Sequence, residues 1–185
     1  MDDTLPEAHL SLAAFLLVHD RNWAGAEKEI KRVLALNPKL AEIHHLYSFY
    51  FLTMGRFDQA ITEGRRALEC DPLSLIYGRS LGMCLYFSRR YDQAIAHYQE
   101  TLELDQDNVS LHELLADAYE RQGLHRDAIA EWQRATALAG DHILAAALGS
   151  AYSGGDLATA ARILGRSGLE RVSAKVKNGE YVPAV

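Results

Sequence analysis

Apolar residues recur along this chain at three- and four-residue spacings, in blocks separated by short polar breaks. Over residues 7 to 20, Leu10, Ala13, Ala14 and Leu17 share one face at helical spacing, and Pro6 suits a helix start. The break Asp20-Arg21-Asn22 leads to a second periodic block, about Trp23 to Leu36. Asn37-Pro38 ends it, because proline disfavours helix in the residue before it and cannot donate to the ladder. This pair of blocks returns at a step of 34 residues. Ala26 is matched by Ala60, Ala94 and Ala128, and Trp23 by Phe57, Tyr91 and His125. Leu34 is matched by Leu68 and Leu102, with Thr136 the weak member. Pro38 is matched by Pro72, then by Gln106 and Gly140.

The step divides one continuous array into repeats at 7–40, 41–74, 75–108 and 109–142. A shortened repeat follows at 143–166, where the period drifts. Residues 167–185 are expected to cap the array, with Leu169, Val172 and Val176 on one face of a half-polar helix. In the second repeat, AEIHHLYSFYFLTMG carries Tyr47, Phe49, Tyr50 and Phe51, so this helix must be buried on several sides or meet a ligand. Gly64 interrupts the partner helix, and Tyr47 or Phe51 is expected to fill the space above it. Gly82 is matched by Ala14, Ser48 and Ala116, all small enough for two helices to approach closely.

Composition narrows the function classes. The chain is 49% hydrophobic and 24% charged, which suits a folded domain. Its net charge of −6 argues against nucleic acid as the main partner. No run of 18 apolar residues occurs, so no membrane insertion is expected. The first residues, MDDTLPEAHL, lack the basic-then-apolar order of a signal peptide. Cys70 and Cys84 make neither a disulfide framework nor a metal set, and a cytoplasmic location is the simplest expectation. His44 and His112 share a repeat position, equivalent to Leu10 and Gly78, that should pack between paired helices; a structural role outweighs metal ligation. Phosphate loops, nucleophile elbows and zinc-protease helices are all missing from the sequence, so no enzyme activity and no cofactor are expected.

Two helical blocks repeating every 34 residues form the tetratricopeptide pattern, and the chain resembles that family over residues 7–142 and more weakly over 143–166. The resemblance implies an all-α, right-handed superhelical solenoid of antiparallel helix pairs. It also implies that the first helix of each pair lines a concave groove holding a protein or peptide segment. Carried onto this chain, the family's groove positions include Phe15 and His19 in the first repeat and His45, Phe49 and Leu52 in the second. The third repeat contributes Arg79, Met83, Tyr86 and Phe87, and the fourth Glu113, Asp117 and Glu120. The groove therefore reads as apolar and aromatic, turning acidic in the fourth repeat. Members that grip a C-terminal carboxylate use lysines and asparagines where this chain has Ser11, Phe15, Leu46, Ile76 and Ser80, so that clamp is not expected. The segment LERVSAKVKNGEYVPAV is also similar to the tails of such regions in large bacterial regulators.

The reading that results is a non-catalytic module binding a partner peptide or helix in its groove. The alternatives are a self-association module, which makes a homo-oligomer, and a sensory domain holding a small apolar ligand.

Overall fold

Helices here start and stop where backbone chemistry directs. The computed structural model describes residues 5–154 together with residues 159, 162 and 163. Among these the chain forms α1 (Pro6–Val18), α2 (Trp23–Leu36), α3 (Ala41–Thr53), α4 (Phe57–Cys70), α5 (Leu75–Phe87), α6 (Tyr91–Leu102), α7 (Val109–Arg121), α8 (His125–Leu138) and α9 (His142–Ser153), with no strand. The fold is an all-α helical repeat. Asn22, Ser74 and Asn108 cap α2, α5 and α7 by accepting from the backbone N–H three residues on. The residues before Pro38 and Pro72 leave helical geometry, which ends α2 and α4. The expected cap on Leu169, Val172 and Val176 lies outside the described residues.

The chain divides into two compact units, Met1–Gln106 and Asp107–Val185. In the first unit, α1 packs on α2, α3 on α4 and α5 on α6. Successive pairs join through α2 against α3 and α4 against α5. The first helices of the pairs also touch, α1 with α3 and α3 with α5, whereas α2, α4 and α6 do not approach one another. A layer packed more tightly on one side than the other curves toward the tight side, so α1, α3 and α5 line the concave face of this unit. In the second unit α7 packs on α8, and α8 on α9.

Small residues let the pairs close. Ala26, Ala60, Ala94 and Ala128 are fully buried. Gly82 lies so near α6 that a β-carbon there would fall 2.1 Å from Tyr98 Cε1. Above Gly64 the neighbour is Leu81 of the following repeat, whose Cδ1 would lie 3.2 Å from a β-carbon, and not Tyr47 or Phe51. Those two rings instead pack on each other, with centroids 4.1 Å apart. The i, i+4 spacing of Tyr47 and Phe51 favours that stacking within α3.

The first repeat departs from the strict step. Three residues join α3 to α4, α5 to α6 and α7 to α8, but four, His19 to Asn22, join α1 to α2. The added residue rotates α1 by one position. His9, and not Leu10, takes the place of His44, and Ala13, and not Ala14, is the fully buried counterpart of Ser48.

Candidate functional site

The histidine series proves structural. His9 Nδ1 lies 2.6 Å from Glu29 Oε2, His44 Nδ1 2.7 Å from Glu63 Oε2, and His112 Nδ1 2.6 Å from Glu131 Oε2. Each pair ties the first helix of a repeat to the second. His44 Nε2 also donates to the Pro38 carbonyl at 2.9 Å, which locks the loop between repeats. The third repeat has Gly78 at this position, and His97 of α6 reaches across to donate to its carbonyl. No group of histidine, cysteine and acidic residues among the described residues is arranged to hold a metal ion.

The concave face of the first unit gathers most of the residues singled out by sequence. On α3, Phe49 is 41% exposed, Leu52 is half-buried, and His45 tilts against Tyr77 with centroids 5.2 Å apart. Burial, and then the Arg79 charge, push the His45 imidazole pKa down, which favours its neutral form. On α5, Arg79 and Phe87 are exposed, and Met83 and Tyr86 are half-buried. Tyr86 meets both Phe87 and Tyr91 edge-on, at 5.4 and 5.6 Å, so the exposed Phe87 stands on a rigid aromatic base. On α1 the one-residue rotation places Ala14 and Val18 in the register of Phe49 and Thr53. Phe15 and His19, carried to those positions by the 34-residue step, are exposed and stack on each other at 5.2 Å.

Glu113, Asp117 and Glu120 lie on α7, in the second unit, and form an acidic strip there. Burial raises the Asp117 pKa to about 6, with Glu120 and Glu113 adding like-charge repulsion; Arg121 and a hydrogen bond with Trp132 oppose it.

Two features of the first unit escaped the sequence reading. Among the described residues, Arg21 and Arg89 are the non-glycine residues with left-handed backbone, at φ of 50° and 61°, and both sit in turns that follow a first helix. The equivalent turns before α4 and α8 carry Gly55 and Gly123, at φ of 70° and 80°. A basic residue where sister repeats hold glycine was the available signal. The second feature is a cleft of about 660 Å³ at the loop between the first two repeats, lined by Lys39, Arg66, Glu69, Cys70 and the edge of His44. Cys70 is exposed and Cys84 buried, and both are free thiols.

A TPR repeat family model matches residues 85–123. Over 102 residues the chain is 29% identical to the small glutamine-rich tetratricopeptide repeat-containing protein 2 of Mycosarcoma maydis, covering 55% of this chain and 29% of that protein. Over 137 residues it is 27% identical to tetratricopeptide repeat protein 13 of Homo sapiens, covering 73% of this chain and 16% of that protein. The chain thus spans less than a third of the length of either curated relative. Among solved structures it is similar to MamA, with a TM-score of 0.71 at 21% identity, covering 100% of this chain and 99% of that one. No helix among the described residues is long and apolar enough to cross a membrane.

Proposed function

We propose that this tetratricopeptide repeat protein is a non-catalytic scaffold that holds an amphipathic segment of a partner protein on the concave face of its first unit. The supporting observation is the run of apolar side chains left open there: Val18 on α1, Phe49 on α3, and Ile76 and Phe87 on α5, the last three at 41%, 58% and 52% exposure. Large apolar side chains left exposed on each of three neighbouring helices favour an interaction site over a solvated face. Apolar anchors repeated on neighbouring parallel helices suit a helix or extended peptide that crosses them. Free thiols suit a reducing, cytoplasmic setting for this binding.

The test is isothermal titration of the protein with a labelled amphipathic peptide carrying a Leu and Phe stripe. Phe49→Ala and Tyr86→Ala should each weaken binding about tenfold, as loss of an aromatic anchor does, with helicity unchanged. Unchanged affinity in both folded variants would move the binding surface off this face.

A further inference from the structure

We propose that Arg21 and Arg89 are anion contacts that read an acidic flank on the segment bound by the concave face, an inference that rests on the function proposed above. Three observations carry it.

The first is backbone geometry. A left-handed backbone favours glycine, and the sister turns use Gly55 and Gly123. Arginine is not among the non-glycine residues that enter this region readily. Two arginines held there in separate repeats mean that the side chain is retained where glycine would fit without strain.

The second is their lack of partners. Arg56, in the middle turn, lies over the Phe51 ring at 4.6 Å and bonds Gln59. Arg90 pairs with Asp58. Among the described residues neither the Arg21 nor the Arg89 guanidinium has an ion pair or hydrogen bond, and both residues are exposed. A planar guanidinium that is not already engaged is suited to bidentate capture of a carboxylate.

The third is position and charge contrast. Arg21 follows the end of α1, just past the exposed Val18, and Arg89 follows the exposed Phe87 of α5. Each arginine therefore borders the apolar face at the same edge, the carboxyl-terminal ends of the first helices. At the other ends of these helices stand Glu7 and Glu42, both exposed. The turns carry the exposed Arg21, Arg56 and Arg89 beside one exposed acid, Asp20, so a bound segment meets net positive charge along that edge. Its apolar stripe should accordingly be flanked by Asp or Glu on the side facing the turns.

A structural role would be different. Cations at helix carboxyl ends stabilise the helix dipole, so helix-end arginines would be lost at a cost in stability. The two roles separate in one experiment. Two labelled peptides share a Leu and Phe stripe; one is flanked by Glu, the other by Lys. Both are titrated at low salt into wild type, the double variant Arg21→Gly/Arg89→Gly, the double variant Arg21→Lys/Arg89→Lys, and Phe49→Ala.

Wild type should bind the Glu peptide about tenfold tighter than the Lys peptide, with the gain mostly in association rate and lost as salt is raised. The glycine double variant should melt no lower than wild type and lose that preference, and the lysine double variant should keep most of it. Phe49→Ala should weaken both peptides. A lower melting temperature in the glycine variant with the preference intact would make the arginines helix-end stabilisers and overturn the proposal. Equal binding of both peptides that still needs Phe49 would overturn the charge assignment and leave the concave-face reading standing. Binding that ignores Phe49 would overturn both. Displacement of the Glu peptide by single-stranded RNA, or a dimer of the protein that forms without peptide, would assign the arginines to a different occupant and equally overturn it.

Discussion

A single hydrogen atom at Gly82 sets how closely α5 and α6 approach. The added carbon of Gly82→Ala would fall 2.1 Å from Tyr98 Cε1, and Tyr98 is fully buried, so its ring has nowhere to turn. Overpacking of this kind should cost ~1–3 kcal/mol in urea denaturation, and a variant as stable as wild type would show that the Tyr98 ring can move. Asp117 supplies a second prediction. The folded chain holds its proton more tightly than the unfolded chain, with a pKa raised from 3.8 to about 6. Its contribution is therefore favourable in acid, declines as pH rises from about 4 to about 6, and is a fixed cost above that. Asp117→Asn keeps an oxygen for the Trp132 contact and removes the charge. It should raise stability at neutral pH by about 1–2 kcal/mol, a figure reduced for solvent screening of a partly exposed carboxyl, and flatten the profile in that window. Parallel pH profiles for the two proteins would refute this.

The elements were largely legible in the amino-acid pattern, because each repeat carries its own start and stop signals. Residues 41, 75 and 109, counted off by the step of 34, are where α3, α5 and α7 begin. What the pattern could not show was the rotation of α1. Ala13, Ala14, Leu16 and Leu17 are apolar in either register, so hydrophobic periodicity alone carries no phase there. The phase is set by a polar contact across helices, His9 with Glu29, and by the four-residue turn that permits it. The same slip carried Phe15 and His19 to groove positions that α1 gives to Ala14 and Val18. On α3 and α5, where the turns have the usual length, His45, Phe49, Leu52, Met83 and Phe87 all stayed in step. Deleting Asp20 should convert the first turn to the common length and rotate α1 by roughly 100° against α2. His9 would leave Glu29 as a half-buried carboxylate without its partner, at a cost of about 1–3 kcal/mol. Hydrogen exchange should then show α1 unprotected while α3 to α6 keep their protection; full protection of α1 would mean that the turn does not set its phase.

Across the whole molecule the net charge of −6 makes the uncommitted arginines at the concave face conspicuous, since they provide local attraction on a chain that repels anions at long range. Repeat arrays draw stability from nearest neighbours, so different parts of one chain open independently. The two thiols turn this property into something readable. Cys70 is exposed at the end of α4, while Cys84 lies fully buried in α5 with its thiol pKa pushed up to about 11, chiefly by burial. Only a thiolate attacks an alkylating reagent, so Cys84 is protected twice, by access and by protonation. Mixed with a maleimide, the protein should label at one site within the dead time and at the second only as fast as α5 is released. The native chain thus carries a fast mark and a slow clock: the delay between them times the opening of its aromatic centre, and a bound segment that clamps α3 to α5 should lengthen it.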